Sequence, residues 1–401
     1  MSRETQIPET RDQRSTERKI LFFTCALHAL THVSMIIFST VIEPMRLDFG
    51  LSTKELTAFV TLSTTLLGLG ALPAGWLADR WGEKPLLVAG FFLLAAGVTL
   101  LGLARSTFEL GAGMVCLGLG ASIFHPVGNS LLARGERNQA RAMGINGFWG
   151  SLGEAVGPIF GAQVALFLSW RWSYFGLALP LVVFGTWLAL SRIDGRPARS
   201  PGDSPPPEPD SLPALFTFLF IAMTLGGLQF WIVKTMLPTH VERHTSSALL
   251  PDTLRGGYLT GLAYAIGGIG QYAAGLLAER KSWRLLYPAI FLAATPLLYL
   301  AGKLEEAPLV ATACLISALI FSVQPVENSL LGRISPERWK GAIFGLKFVL
   351  TFGVGGTGAF VSGWVESRHG TSGVFNVAAL CTALAFLFAL GACRCGRSAS
   401  K

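Results

Sequence analysis

The sequence is poor in charge. Only 14% of its 401 residues are Asp, Glu, Lys or Arg, whereas 51% are apolar. A soluble domain carries about 25% charged residues. This composition excludes a disordered chain and an ordinary cytosolic enzyme. The net charge of +8 could suggest a nucleic-acid-binding domain, but no cluster of Lys and Arg is interleaved with aromatic residues. We therefore predict a protein that crosses a membrane several times and has no nucleic-acid partner.

The sequence also lacks the motifs of enzymes and metal proteins. No Walker, dinucleotide-binding or nucleophile motif is present, which argues against an enzyme or an ATP-driven pump. The six cysteines are not spaced like the partners of a disulfide or a zinc site. We therefore predict no catalytic residues, no cofactor and no resident metal.

Long apolar runs are present instead. A helix needs roughly 20 apolar residues to cross a bilayer. About twelve such runs occur, at 20–42, 56–78, 85–104, 107–131, 141–167, 170–191, 212–238, 256–278, 285–302, 307–331, 340–365 and 371–393. The first run is too long for a signal peptide and lacks a cleavage site. The sequence predicts an all-α integral membrane protein with twelve transmembrane helices.

The positive charges are unevenly distributed between the loops. Of the 32 Lys and Arg residues, 22 lie on the side of the termini, nine (Lys234 among them) on the other side, and Lys347 inside a run. Positive loops stay in the cytoplasm. We therefore expect both termini to lie in the cytoplasm and the chain to lie in the inner (plasma) membrane.

The chain divides at a segment rich in Pro, Ser and charge. Residues 192–211 read RIDGRPARSPGDSPPPEPDS, which cannot form a core and predicts a flexible cytoplasmic linker. This linker separates an N-terminal unit, residues 1–191, from a C-terminal unit, residues 212–401. Each unit holds six runs.

The two units resemble each other in sequence. Residues 67–80 share seven of fourteen positions with 267–280, and residues 125–134 share seven of ten with 324–333. A parallel six-helix repeat places a binding site between the halves near the bilayer midplane. The repeat predicts two pseudosymmetric bundles around a central cavity.

Residues 75–84 carry glycines and charges in a recognisable pattern. They read GWLADRWGEK, which resembles the signature Gly-x-Leu-Ala-Asp-Arg-x-Gly-x-Lys of the major facilitator superfamily; the resemblance covers essentially the whole chain. It implies a gate at the cytoplasmic face, in which Asp79 contacts helix 11 and Arg134 is a partner. The alternative is a plain solvated turn. The gating residues so implied are Gly75, Asp79, Arg80, Gly82, Lys84 and Arg134, with Glu279 and Arg280 in the second copy.

The fifth run is rich in glycine. It resembles the Gly-x8-Gly-x3-Gly-Pro-x2-Gly-Gly motif of proton-coupled antiporters in this superfamily, with a departure at Ala162. The matching residues are Gly144, Gly153, Gly157, Pro158 and Gly161. The resemblance favours export, and the alternative is plain helix packing. Those antiporters usually carry an arginine at the position of Met114, and its replacement argues against their usual arrangement for proton coupling.

Ionisable side chains inside apolar runs are costly and usually functional. His28 and His32 are four residues apart on the first run and share one helix face, and His125 and Glu154 lie in the fourth and fifth runs. For the histidines, proton coupling, substrate binding, a structural role and metal binding remain open. Glu154 is either a proton site or a packing residue. The element FHP around His125 also resembles exporters of the fosmidomycin-resistance type.

Two opposite charges lie in the tenth and eleventh runs. Glu327 and Lys347 are each about 10 Å from the cytoplasmic surface, which predicts an intramembrane ion pair. The pair is either structural or opened by substrate or a proton. Gln229 and Gln324 complete the candidate residues for contact with substrate or protons.

These patterns predict a secondary transporter that acts as a monomer. The predicted activity is export of a small organic molecule in exchange for protons. One alternative is a proton symporter or facilitator that imports a metabolite. A membrane receptor or scaffold that does not transport is an alternative of another class.

Overall fold

A computed structural model of the chain describes residues 11–51, 53–135, 139–193, 212–246 and 252–395. These residues are almost entirely helical and contain no strand. The predicted linker lies almost wholly outside the described residues, so its boundaries remain a prediction.

Twelve α-helices account for most of the described chain. Their bounds are Arg11–Phe49 (α1), Thr53–Trp81 (α2), Glu83–Leu103 (α3), Thr107–Gly135 (α4), Gln139–Phe167 (α5), Trp170–Leu190 (α6), Leu212–His244 (α7), Asp252–Arg280 (α8), Trp283–Ala301 (α9), Glu306–Ile334 (α10), Lys340–Phe348 (α11) and Thr357–Cys395 (α12). A 3-10 turn, Glu337–Trp339, precedes α11, and a π-helix, Val349–Val354, follows it.

The helix α12 is broken at Gly370. This residue has φ 66° and ψ 179°, a left-handed conformation that favours glycine. The break separates an eleventh apolar span, Glu337–Glu366, from a twelfth, Arg368–Cys395. The predicted boundary between the runs 340–365 and 371–393 is confirmed.

Ten spans among the described residues are long and apolar enough to cross a membrane. The helices α5 and α8 do not reach that apolarity, although each has 29 residues. They pack against each other and against α1 and α10. Helices that face protein rather than lipid can hold more glycine and polar residues. With these two, the twelve-helix, all-α prediction is confirmed.

The helices form two halves, α1–α6 and α7–α12, in which equivalent pairs recur. The helix α2 packs on α4 as α8 packs on α10, and α3 packs on α6 as α9 packs on α12. The two most extensive contacts between the halves are α5 with α8 and α2 with α11; α5 with α10 and α4 with α11 add smaller ones.

Glycines allow the two most extensive contacts to be close. A methyl group on Gly75 would overlap the carbonyl of Gly341, and one on Gly275 would lie 2.6 Å from the carbonyl oxygen of Ala140. Both contacts lie where α2 and α8 end and where α11 and α5 begin. We call this end of the bundle the latch end. Because glycine has no side chain, the helices can approach closely at these positions, and the two halves meet tightly there.

Candidate functional site

The carboxylate of Asp79 caps the helix α11 across the two halves. Its Oδ1 accepts a hydrogen bond from the Gly341 N–H at 2.9 Å, and its Oδ2 accepts one from the Ala342 N–H at 2.8 Å. The first N–H groups of a helix have no intrahelical partner, and the helix dipole favours a negative charge beside them. The contact of Asp79 with helix 11, implied by the family resemblance, is present.

Arg134 joins this capping carboxylate to two others. Its guanidinium donates to Asp79 Oδ1 at 2.7 Å, pairs with Glu83, and contacts Glu337 Oε2 at 3.2 Å. The Ser130 hydroxyl also donates to Glu83 at 3.1 Å. Since Glu337 belongs to the second half, Arg134 ties α2, α3 and α4 to the segment before α11. We call Asp79, Glu83, Arg134 and Glu337 the latch cluster.

Two members of the latch cluster were missed by sequence reasoning. Glu83 occupies a variable position of the signature, and Glu337 lies in a loop that no repeat or motif covers. Glu83 is only 1% exposed and forms an ion pair with Arg134. A buried and paired acid is what marks this residue as part of the cluster. That burial cannot be read from the sequence.

The remaining residues of the first motif build the turn around the cluster. Gly82 has φ 87° and immediately precedes α3. The Lys84 ammonium donates to the Ser191 carbonyl at 2.5 Å, at the end of α6. Arg80 is exposed and lies over the Trp76 ring at 4.0 Å, outside the latch cluster.

The second copy of the motif is arranged differently. Glu279, Arg280 and Arg333 are exposed, and within the described part of the chain no ion pair is recorded for them. The position equivalent to Glu83 is Trp283. The structure therefore does not bring the second acid and base together as it does the first.

Three histidines converge inside the bundle. The ring centroids of His28 and His32 are 4.8 Å apart, and that of His125 lies 5.2 Å from the first and 5.5 Å from the second. His125 also contacts Phe348 and Phe352 of the second half, at 4.9 and 4.8 Å. We call these three residues the histidine cluster. It lies where the halves meet.

Glu154 lies beside the histidine cluster and is not a lone carboxylate. Its Oε1 is 3.0 Å from His32 Nδ1, and it forms an ion pair with Lys234. Because Glu154 is on α5 and Lys234 is on α7, this pair also joins the two halves.

The position of Lys234 corrects the charge distribution inferred from the sequence. It was counted among the residues outside the spans, but it lies within the apolar stretch Pro213–Leu237 of α7. The signal was available, since the predicted run 212–238 contains this residue.

The predicted ion pair in the second half is confirmed. The Lys347 ammonium lies 3.0 Å from Glu327 Oε2 and donates to Asn328 Oδ1 at 2.5 Å. The Tyr287 hydroxyl donates to Glu327 Oε1 at 2.8 Å. The charges and their polar neighbours belong to α9, α10 and α11, so this network stays within one half.

The candidate glutamines differ in their surroundings. Gln229 is buried, and its Nε2 has no hydrogen-bond partner among the described residues; the nearby Trp231 Nε1 also lacks one. Gln324 is half-buried. Two buried donors without acceptors are costly in a folded chain and are available to a ligand.

The glycine motif of α5 lies along two packing contacts. Gly144 faces Gly275 of α8. On the side of α1, a methyl group on Gly153 would lie 2.5 Å from the Ala29 carbonyl oxygen, and one on Gly157 would lie 2.2 Å from Ile36 Cγ2. The carbonyl of Gly161 accepts a hydrogen bond from Ser173 at 3.0 Å. The side chain of Pro158 lies outside the described part. The motif thus permits close helix packing.

Two helical bundles that enclose polar residues at their interface, with an ion-pair cluster at one end, define a membrane carrier. The family model of the Major Facilitator Superfamily matches residues 24–359. The chain belongs to this family, whose members are multi-pass membrane transporters rather than enzymes.

Relatives of known name share parts of this chain. The lincomycin resistance protein of Streptomyces lincolnensis is 28% identical over 61% of this chain and 53% of its own length. The multidrug resistance protein B homolog of Mycobacterium tuberculosis is 30% identical over 36% of this chain and 27% of its own length. The chain thus spans about half or less of these relatives.

A solved structure resembles the fold over nearly its full length. The fucose:proton symporter FucP of E. coli has a TM-score of 0.73 and 16% sequence identity, and the match covers 93% of this chain and 98% of that one. At this identity the likeness shows the fold alone.

Proposed function

We propose that this protein exports a small organic solute in exchange for protons by alternating access. The observation that carries the proposal is the latch cluster, which ties the two halves at one end. Polar groups lie deeper at the same interface. A carrier needs this arrangement because its binding groups must be closed off from one side at a time. In our proposal the moving units are residues 1–191 and 212–401, in a monomer whose termini lie in the cytoplasm.

Opening the latch end would break contacts of opposite charge. Arg134 would have to leave Glu337, and Asp79 would have to leave the first N–H groups of α11. The pair of Glu154 with Lys234 crosses the interface as well. These three contacts oppose separation of the halves, so a bound solute must supply compensating interactions in the open state.

For proton coupling we propose Glu327. This carboxylate is buried, and its cation, Lys347, is buried beside it. Protonation of Glu327 would leave Lys347 without its counter-ion, which favours rearrangement of α10 against α11. A proton could therefore be exchanged for solute at this pair.

The direction of transport is supported by the relatives. Two of them are named for resistance to lincomycin and to multiple drugs, and export of a compound from the cell would confer such resistance. The structural neighbour is named as a fucose:proton symporter, so import is the competing direction.

Reconstituted vesicles test the proposal. The purified protein is placed in liposomes, a pH gradient is imposed, and the movement of labelled lincomycin and of other small organic compounds is followed. We expect uptake driven by an acidic interior, and at least tenfold slower uptake for Asp79→Asn. Glu279→Gln is the matched control and should transport normally.

The other outcomes are informative. Substrate movement in the same direction as protons would overturn export in favour of import. Solute binding without movement under any gradient would indicate a receptor. Full activity in Glu327→Gln with an unchanged dependence on the gradient would exclude Glu327 as the proton acceptor.

A further inference from the structure

The histidine cluster has a geometry that the proposed transport cycle does not use. One ring nitrogen of each of His28, His32 and His125 lies within 4.8 Å of the others. We propose that these three side chains bind a divalent transition-metal ion, either free or as the centre of an organic chelate.

Two of the rings are held as metal ligands are held. His28 Nδ1 hydrogen-bonds the Asn146 carbonyl at 2.8 Å, which requires its N–H to donate, and His32 Nδ1 lies 3.0 Å from Glu154. In metal sites the ligating imidazole donates its other N–H to a carbonyl or carboxylate, which fixes the ring. Both bonds leave Nε2 for the metal. Glycine at 150 makes room for the His28 ring, because a methyl group there would overlap it.

The third ring is packed among other rings. His125 is only 4% exposed, and every contact recorded for its ring in the described part is with another ring, including Phe124, Phe348 and Phe352. A buried polar group without a polar partner is costly. A metal ion between the three rings would supply that partner.

The spacing suits a site that closes slightly around an ion. Zinc–nitrogen bonds of about 2.1 Å place tetrahedral ligands about 3.4 Å apart. The three nitrogens, within 4.8 Å of one another, need to approach by about 1.4 Å at most.

The surrounding charges do not oppose a cation strongly. Two lysines lie near the cluster, but Lys234 is paired with Glu154 and Lys347 with Glu327. Imidazole ligands suit zinc, copper, nickel and cobalt. Three protein ligands leave a fourth position open. That position can hold water or a donor atom of an organic molecule. The free metal ion and the organic chelate would therefore bind to the same three imidazoles.

Cobalt titration of the purified full-length chain in detergent tests the site without transport. A tetrahedral Co²⁺ site gives visible absorption bands. We expect saturation at one equivalent and displacement by Zn²⁺. Replacing His28, His32 or His125 by Ala should weaken binding by at least about 100-fold, and Glu154→Gln by about 10- to 100-fold. The exposed His369→Ala is the matched control and should bind normally.

Two further measurements keep the test decisive. Variants are compared only where their elution profile matches that of the wild type, and His125→Gln, which keeps more of the bulk, is measured beside His125→Ala. X-ray absorption of the cobalt-loaded wild type needs no variant and should show three imidazole ligands. The proposal would be overturned by the absence of saturable cobalt absorption, by fewer than three imidazole ligands, or by wild-type affinity in all three alanine variants.

Citrate separates the two sources of the metal. If the chain retains cobalt and labelled citrate in equal amounts, the ligand is the chelate, whereas loss of cobalt to citrate indicates the free ion. Since binding is measured in detergent, failure of export in vesicles leaves this proposal unaffected, and absence of metal leaves the export proposal standing.

Discussion

The two copies of the internal repeat keep the same packing but not the same charges. Gly75 and Gly275 each press against the backbone of a helix in the opposite half. Asp79, beyond the first glycine, reaches the N-terminus of α11, whereas Glu279, at the matching position, is exposed.

The difference can be traced to a buried acid. In the first copy Arg134 is held between Asp79 and the buried Glu83. In the second copy the position of Glu83 is Trp283, and the base matching Arg134, Arg333, is exposed. The close approach of two helix backbones requires only glycine, and both copies of the repeat retain it. A charge cluster forms only where every partner residue is present.

The largest effect should follow loss of the cation of the latch cluster. Arg134→Ala leaves Asp79 and the buried Glu83 without their base, and breaking a buried pair costs about 3–5 kcal/mol. Arg333→Ala should change the free energy of unfolding by less than about 0.5 kcal/mol. Thermal unfolding in detergent measures both. Equal destabilisation by the two variants would remove the asymmetry.

The second half carries its charge inside the bundle instead. The position of Glu327 is Gly128 in the first copy. Glu327→Gln and Lys347→Met should each destabilise the fold by about 3–5 kcal/mol, because each leaves a buried polar partner. The double variant should be more stable than either single one. A double variant no better than the singles would mean that the pair does not act as a unit.

The shared packing should respond alike in both copies. Gly75→Ala and Gly275→Ala should each cost about 1–3 kcal/mol, since the added methyl group meets backbone atoms. Gly261→Ala on α8 is the control, because no atom lies within 4 Å of its methyl group. Its effect should stay within about 1 kcal/mol. Tolerance at Gly275 alone would show that only the first copy packs closely.

The smallest effect is expected at the end of the bundle opposite the latch. Hydrogen bonds from Arg171 and Trp170 lower the pKa of Asp48. This carboxylate therefore stabilises the fold above the pKa of the unfolded chain, and the contribution is lost as the pH falls through the lowered value. Because the side chain of Asp48 is 43% exposed, the screened pair contributes less than about 1 kcal/mol.

Unfolding of Asp48→Asn at several pH values checks this prediction. The difference from the wild type should be small at neutral pH and vanish in acid. A difference that grows in acid would contradict the stated sign.

Much of the fold could be predicted from the sequence because apolar length and glycine placement are local features. The break at Gly370 falls between two predicted runs, and the signature predicted the contact of Asp79 with α11. The helices α5 and α8, which fall short of the apolarity of the ten spans, were still found as runs.

The arrangement of the site could not be predicted in the same way. His28 and His32 share a face by their spacing, but the approach of His125 depends on how α1 packs on α4. The roles of Glu83 and Lys234 depend on partners from other helices. The spacing of residues in a single sequence does not show which side chains from different helices come into contact.

The central claim is that only the first copy of the motif holds the latch end closed. A distance measurement across the latch end tests this claim most directly. Spin labels are placed at the exposed positions of Trp81, in the first half, and Trp339, in the second, after removal of the six native cysteines. We predict one short distance in the wild type and in Glu279→Gln, and an added longer population in Asp79→Asn. An unchanged distance in Asp79→Asn, or equal opening in Glu279→Gln, would contradict the account.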